Sequence, residues 1–190
     1  INPIMASKGM AVFERKCAGC HGKYSDDESY PNKVIPLSKV GTDEVRLLYG
    51  TVAAFNKDIS ESWIGRYGKS PIDINPDGYL APSLRGIWAT APYLHNGSVP
   101  TIHDLFNSKY RPTIWRGLSK GSDYDFKKVG LLIESIEPHV FDEMKKNMDR
   151  ATIREYYDTR VESQSNEGHL FPERLGPDEK DQVIEYLKTL

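Results

Sequence analysis

Apolar residues recur at helical spacing near both ends of the chain. Over residues 4–20 they repeat with a period of about 3.6 residues, which predicts an amphipathic helix. A second apolar stripe over 177–190 predicts a C-terminal helix. We expect the two stripes to pack on each other, with Phe13 and Gly9 on one helix facing an apolar surface supplied by Tyr186 and Leu187 on the other, and with Gly9 allowing the helices to approach closely.

The middle of the chain gives weaker signals. Thr42 and Thr101 are residue types favoured at helix N-caps, and the many Gly and Pro residues of 66–100 predict an extended, irregular segment. The other patterns predict helices over 43–56, 102–108 and 140–158 and a short strand within 129–133. We expect one mostly α domain over residues 1–190, with long irregular loops at about 66–170.

Composition narrows the functional classes. The chain has 190 residues and a net charge of −2, so it lacks the basic character of proteins that bind nucleic acid through bulk charge. Aromatic residues make up 11%, which excludes the acidic, aromatic-poor class of disordered proteins. The longest uncharged stretch, 86–102, is too short and too broken by Pro and Gly to span a bilayer.

Hydrophobic residues make up 38%, and counted without Tyr and with Gly the share is ~40%, below the usual ~45–50% for that set. A bulky apolar cofactor in the interior explains the shortfall, and so does a large amount of surface loop. The sequence begins at Ile1 rather than at Met, so we expect a processed product or an excised piece of a longer chain.

One short motif carries specific chemistry. Cys17, Ala18, Gly19, Cys20 and His21 form the pattern C-x-x-C-H, the attachment signature of a c-type haem. Two cysteines three positions apart reach the two vinyl groups on one porphyrin edge, and the next histidine offers its imidazole to the iron. The small residues between the cysteines let the macrocycle approach. We therefore expect one covalent haem c held by Cys17, Cys20 and His21.

Other interpretations of the cysteine pair have less support. A thioredoxin-type C-x-x-C opens a helix after a strand, whereas this pair closes a predicted helix. A structural zinc site needs four ligands, and the chain has no second cysteine pair, although histidines would serve. A local disulfide leaves His21 without a role. The other ring nitrogen of His21 is expected to donate to a backbone carbonyl, with Pro31 and Pro36 as candidates.

Longer stretches resemble known haem proteins. Residues 13–22 resemble the first helix of a class I cytochrome c, and residues 78–97 are similar to the second-haem domain of the bacterial di-haem cytochrome c peroxidase superfamily. Within it, rubber-oxygenase-like proteins share further patterns at 111–112, 121–130, 165–169 and 185–190. The resemblance implies a mostly α, class I cytochrome c-like helical domain with long irregular loop insertions.

The resemblance is incomplete in one respect. Members of the superfamily carry two haems on two cytochrome domains, and this chain has one C-x-x-C-H. In those enzymes the open, active haem lies in the N-terminal domain, and this chain corresponds to the electron-transfer haem. The resemblance therefore implies a haem site and a redox partner, either a separate protein or an upstream haem domain. It does not imply an activity for this chain.

The second iron ligand has three candidates. Methionine is usual in small cytochromes c, but no Met lies between the haem motif and Met144, and Lys109 occupies the position of the peroxidase methionine. Met144 and Met148 are expected to pack on the apolar side of a charged helix. By resemblance, His95 is the histidine of the superfamily's signature loop, within the matched stretch 78–97. That loop lies near the haem but does not usually supply an iron ligand. The resemblance to rubber-oxygenase-like proteins implies His169.

Two further contacts are expected around the haem. Arg85 is the candidate cation for a haem propionate, because a carboxylate in a half-buried crevice needs a cationic partner. An exposed loop position is the alternative for this residue. The superfamily also binds calcium through carbonyls of a stretch that matches Thr90 and Pro92. Another ligand of that calcium comes from the other domain, so this chain by itself does not complete the site.

Two functions of different classes follow. With His21 and a second histidine on the iron, no position is left for peroxide or dioxygen, and the protein carries electrons. The alternative is a haem peroxidase or oxygenase, or the electron-transfer part of a larger di-haem enzyme. Catalysis needs a vacant or labile sixth position on the iron. We expect a periplasmic or secreted protein, because in bacteria the thioethers of haem c are formed outside the cytoplasm.

Overall fold

The computed structural model describes residues 1–25, 27–50, 61–67, 77–118 and 124–190. Its helices span Pro3–Lys16, Ala18–His21, Leu37–Val40, Val45–Gly50, Trp63–Tyr67, Ile102–Phe106, Pro138–Lys145, Arg150–Ile153 and Pro177–Leu187. Single 3₁₀ turns occupy Ile87–Ala89, Ser108–Tyr110 and Phe171–Arg174. Among the helices of this part of the chain, none has the length and apolar character needed to span a bilayer.

The N-terminal helix, Pro3–Lys16, is defined by the residues at its ends. Oδ1 of Asn2 accepts hydrogen bonds from two N–H groups of the first turn, and Pro at the first helical position has no N–H that needs a partner. The predicted helix over 4–20 is present in two pieces. The backbone leaves helical geometry at Cys17 and returns to it in the short helix Ala18–His21.

The C-terminal helix, Pro177–Leu187, packs across the N-terminal helix, which confirms the prediction. The ring centroids of Phe13 and Tyr186 are 5.3 Å apart, and Phe13 is almost wholly buried. Gly9 lies so close to the other helix that an added Cβ would be 1.9 Å from the carbonyl oxygen of Gln182. This helix pair forms the centre of the main hydrophobic core.

The helix after Thr42 begins later than predicted. It spans Val45–Gly50, and its first N–H donates to Oδ1 of Asp43. The hydroxyl of Thr42 is buried without a hydrogen-bond partner among the described residues, so the prediction that Thr42 caps this helix is wrong. Residues 51–56 of the predicted helix lie outside the described residues.

Thr101 caps the next helix, Ile102–Phe106, as predicted. Its hydroxyl oxygen accepts from the N–H of Asp104 and donates to the carboxylate of the same residue. The single helix predicted over 140–158 is wrong. That region instead contains helices Pro138–Lys145 and Arg150–Ile153 and the strand Tyr157–Asp158.

The described residues form three small antiparallel sheets. In the first, Val34–Pro36 pairs with Gly78–Leu80 and Ile35 lies opposite Tyr79. The others pair Ile114–Gly117 with Ile133–Ser135 and Tyr157–Asp158, and Tyr124–Asp125 with Gly130–Leu131. The short strand predicted within 129–133 is therefore present.

The predicted mostly α fold class is wrong. The structure is 42% helical and 15% strand, with the strands in three small sheets. Most of these strands lie within 66–170, which was predicted to be irregular loop. Each strand has only two to four residues, too few to show the two-residue alternation that identifies a strand in a sequence. The pairings of Val34–Pro36 with Gly78–Leu80 and of Ile114–Gly117 with Tyr157–Asp158 also join segments that are distant in the chain.

A second, smaller apolar cluster lies beside the three-stranded sheet. Ile114, Phe141 and Tyr156 are buried there, and Met144 and Met148 pack against them. Both methionines thus pack on apolar side chains as predicted, although Met148 lies beyond the helix, which ends at Lys145.

The close contact at Gly9 gives a prediction about stability. Gly9→Ala places a methyl group against the backbone of Gln182, which yields only if the two helices move apart. Alanine favours helix by about 1 kcal/mol over glycine, but we expect the clash to exceed this gain. The free energy of unfolding should fall by about 1–3 kcal/mol in denaturant titrations.

Ser7→Ala is the control for Gly9→Ala, because Ser7 is exposed on the same helix. It should change the free energy of unfolding by less than about 0.5 kcal/mol. A Gly9→Ala protein that is more stable than wild type would contradict the close helix packing.

Glu173 gives a prediction about pH. Lys180 Nζ and both the hydroxyl and the N–H of Ser108 donate to its carboxylate, and these bonds lower the pKa of Glu173 to about 2. A carboxylate whose pKa is depressed by folding stabilises the protein above its ordinary pKa of 4.5, and this contribution is lost as the pH falls toward 2.

We therefore expect the free energy of unfolding of wild type to fall more steeply between about pH 4.5 and 2 than that of Glu173→Gln, which has no carboxylate to titrate. Urea unfolding at a series of pH values measures both slopes. Glu162→Gln, at an exposed position, should keep the wild-type slope. Equal slopes for wild type and Glu173→Gln would show that the contacts of Glu173 do not stabilise the fold.

Candidate haem site

The C-x-x-C-H motif lies where the N-terminal helix ends. Cys17 and Cys20 are free, half-buried cysteines, and Cys17 packs against the main core. Burial, followed by the neighbouring Cys20, raises the pKa of the Cys17 thiol to about 11, so this thiol is protonated at neutral pH. Neither cysteine is used in a disulfide, and both are available for thioether bonds.

His21 is oriented by a backbone carbonyl. Its Nδ1 lies 2.9 Å from the carbonyl oxygen of Pro82. A carbonyl oxygen only accepts hydrogen bonds, so Nδ1 carries the proton and Nε2 has the free lone pair. Burial lowers the pKa of His21, while the hydrogen bond to Pro82 acts in the opposite direction. The neutral ring is therefore ready to bind a metal ion through Nε2.

The prediction that Pro31 or Pro36 supplies this carbonyl is wrong. Pro82 is 61 residues from His21 in the sequence. The pairing of Val34–Pro36 with Gly78–Leu80 brings the distant segment to the motif. Any residue type offers a carbonyl oxygen, so the sequence contains no local signal for this contact.

The carbonyl of Pro82 is itself held in place. The hydroxyl of Tyr30 donates to the carbonyl just before Pro82 over 2.6 Å. The hydroxyl of Tyr24 accepts from the N–H of Leu84 and donates to the carbonyl of His21, both at 2.6 Å. Sequence reasoning missed these two tyrosines, which fix the group that orients the histidine.

His169 faces His21. Their ring centroids are 6.2 Å apart, and the ring planes are inclined by 61°. When two imidazoles bind one metal ion from opposite sides, each bond is about 2 Å and each ring centre lies ~1.2 Å beyond its nitrogen, so the centroids are ~6.4 Å apart. The two rings therefore have the separation that one shared iron requires.

The surroundings of His169 also suit a metal ligand. Burial, then the charges of His21 and Arg111, lowers the pKa of His169 to about 4, so the ring is neutral at neutral pH. Its Nδ1 is buried without a hydrogen-bond partner among the described residues. Nε2 of His95 is buried in the same way, so this feature by itself does not distinguish the two histidines.

The backbone places His169 by a close approach of two loops. Its N–H donates to the carbonyl of Val40 over 2.6 Å. Gly168, with φ of +80°, lies directly on Gly41, and a Cβ there would be 2.3 Å from the Gly41 carbonyl carbon. Only glycine at position 168 permits both the backbone conformation and this contact.

His95, the second histidine candidate, lies elsewhere. Its ring stacks on Tyr79 with centroids 4.3 Å apart, and burial lowers its pKa. Its Nε2 is buried without a partner among the described residues. Among the described residues, the ring of His21 contacts the ring of His169, and neither of these rings contacts His95.

Arg85 is exposed and forms a two-point ion pair with Glu28, through Nε at 2.9 Å and Nη2 at 2.5 Å. An exposed pair of this kind is weak, so it does not prevent Arg85 from meeting another carboxylate. Its role toward a haem propionate stays a prediction. No observation tests calcium at the matching stretch of Thr90 and Pro92, where the hydroxyl of Thr90 donates to the carbonyl of Ile87.

The donor set matches a haem c. The described residues contain no group of three or more His, Cys, Asp or Glu side chains that could hold a metal ion. A haem iron does not need such a group, because the porphyrin supplies four nitrogens and the protein supplies at most two ligands. Two free cysteines and two neutral imidazoles are the side chains that would serve a haem c as covalent anchors and iron ligands.

Comparisons with known proteins agree with this chemistry. Residues 78–116 match the family described as RoxA-like, cytochrome c-like. Two relatives from Sinorhizobium fredii (strain NGR234) carry the names uncharacterized protein y4iJ and y4iM. The first is 40% identical over 60% of this chain and 18% of its own length. The second is 29% identical over 100% of this chain and 49% of its own length.

A third relative is the cytochrome-c peroxidase IdrP2 of Denitromonas iodatirespirans, 32% identical over 51% of this chain and 29% of its own length. The chain thus spans about half or less of the length of the curated relatives that it matches. The resemblance drawn from the sequence is confirmed. The chain carries a cytochrome c-like domain, related to RoxA-like proteins and to a cytochrome-c peroxidase.

Proposed function

We propose that this chain binds one haem c and carries electrons through a six-coordinate iron whose axial ligands are His21 and His169. The observation that carries the proposal is the pair of opposed rings at 6.2 Å, one of them with its Nδ1 fixed on the Pro82 carbonyl. Cys17 and Cys20 would form the thioether bonds.

A bound haem c supplies a one-electron couple between ferric and ferrous iron. The residues of this chain decide how that couple is used. His21 and His169 would occupy both axial positions, so peroxide and dioxygen would have no place to bind. Two imidazoles also give a lower potential than a His/Met pair, because thioether ligation raises the potential.

A second candidate is favoured by the peroxidase relative and by the short span of this chain relative to its relatives. In it, the chain is the electron-transfer part of a larger di-haem enzyme, and its partner is an upstream haem domain rather than a separate protein. Hydrogen peroxide discriminates between this arrangement and a catalytic haem within the chain. An oxidised spectrum that does not change with peroxide supports electron transfer, and a rapid shift supports a peroxidase.

We also propose that the mature protein is periplasmic or secreted, because in bacteria haem is attached to C-x-x-C-H outside the cytoplasm. Cell fractionation of the native host, with haem staining of each fraction, tests this. Haem-loaded protein confined to the cytoplasm would contradict it.

Covalent attachment is the first testable consequence. The single C-x-x-C-H predicts one haem per chain that stays with the protein after acid–acetone extraction, as measured by mass spectrometry. The double variant Cys17→Ser, Cys20→Ser, expressed under the same conditions, should lose all of its haem to the solvent. Wild-type haem that extracts freely, or a zinc-loaded protein without haem, would refute the assignment.

The axial ligand is the second consequence. His169→Ala should convert the ferric iron from low spin to high spin, because one strong-field nitrogen is removed, and the variant should bind cyanide readily. Optical spectra of wild type and variant measure this change. His139→Ala, at an exposed position, is the control and should keep the low-spin spectrum.

His95→Ala tests the competing ligand in the same assay. We expect it to keep the low-spin spectrum, because His95 stacks on Tyr79 and does not contact His21. If His95→Ala becomes high-spin and His169→Ala does not, the sixth ligand belongs to the signature loop instead.

A further inference from the structure

We propose that Arg111 is a positioning residue for His169. In this inference, its guanidinium fixes the ligand loop, defined here as residues 163–169, and thereby keeps the sixth position on the iron closed. The inference rests on the proposed function, because it assumes that His169 binds the iron. It adds a residue that acts through its bonds to backbone carbonyls.

The contacts of Arg111 converge on the residues just before His169. Nη1 donates to the carbonyl of Asn166 at 2.6 Å and to the carbonyl of Gly168 at 2.9 Å. The other side of the guanidinium donates to the helix Ile102–Phe106, through the carbonyls of Leu105 at 3.1 Å and Asp104 at 3.3 Å. One side chain therefore bridges a helix of the core and the ligand loop.

The guanidinium of Arg111 bonds to backbone carbonyls rather than to a carboxylate. No carboxylate of the described residues forms an ion pair with it, and its donors go to backbone carbonyls. Burial lowers its pKa, and the charges of Glu173 and Asp104 offset part of this effect. Arginine presents its donors in a rigid fork, so it fixes several carbonyls at once. These observations favour a role in holding the backbone.

The ligand loop needs such a contact because its backbone is strained. His169 has φ of +50° and Ser163 has φ of +72°, both in the left-handed region that residues with a side chain rarely adopt. Such conformations persist only where the surrounding structure enforces them. Asn96 supports the start of the loop by donating to the carbonyls of Ser163 and Ser165, at 3.3 and 2.8 Å. Arg111 supports the end of the loop, where the ligand is.

Loss of Arg111 should therefore let His169 leave the iron more often. An external ligand such as cyanide binds only when the sixth position is vacated, so its apparent affinity reports the fraction of open protein. Losing hydrogen bonds from a charged donor should raise that fraction, and hence the affinity for cyanide, by about 10–100-fold.

The test uses the haem-loaded protein with Arg111→Met, which keeps a flexible, unbranched side chain about as long as the stem of arginine but removes the guanidinium donors. We expect a partial high-spin spectrum and tighter, faster cyanide binding than in wild type. Arg116→Met is the matched control, because Arg116 is nearby in the sequence but pairs with Glu134 on the sheet surface. It should behave as wild type.

Arg111→Lys is the second variant, and it keeps the protein testable if Arg111→Met does not load haem. Lysine retains the charge but not the fork, so cyanide binding should still be stronger than in wild type. Wild-type cyanide affinity in both variants, or in Arg111→Lys alone if the other does not load haem, would overturn the inference.

His169→Ala separates this outcome from a failure of the proposed function. If His169→Ala stays low-spin, His169 is not the ligand and the proposed function is wrong. If His169→Ala becomes high-spin while the Arg111 variants bind cyanide as wild type does, only the positioning role of Arg111 is wrong.

Discussion

The hydrogen bond between Nδ1 of His21 and the carbonyl of Pro82 connects the C-x-x-C-H motif to the segment 78–97 and fixes the tautomer of the imidazole. It leaves the lone pair of the imidazole on Nε2. The bond forms only if the Pro82 carbonyl is held in position. The pairing of Val34–Pro36 with Gly78–Leu80 and the hydroxyls of Tyr24 and Tyr30 hold it there. Much of the structure around the motif thus serves the orientation of one ring.

The opposite side of the site is built differently. His21 follows a well-packed helix, whereas His169 is carried by a loop with strained backbone and is held by contacts with Val40, Gly41 and Arg111. Burial keeps the neutral form of each ring.

The parts of the structure that could be predicted from the sequence depend on local patterns. The C-x-x-C-H motif, the two apolar stripes and Gly9 define the terminal helices and their packing. Apart from the strand within 129–133, the small strands could not be predicted, because they are too short to show alternation and most of them pair with distant segments. The same holds for the Pro82 carbonyl, which carries no signal of residue type. Arg111 belongs to a pattern shared with related proteins, but its bonds to loop carbonyls appear only in the fold.

Pulsed electron paramagnetic resonance of the oxidised protein, produced with ¹⁵N-labelled histidine, tests the central claim most directly. It counts the histidine nitrogens that bind the iron along its axis, without any substitution in the chain. Two opposed imidazoles predict a low-spin ferric signal with hyperfine couplings from two axial histidine nitrogens. A high-spin signal, or a low-spin signal coupled to one histidine nitrogen only, would contradict the pairing of His21 with His169.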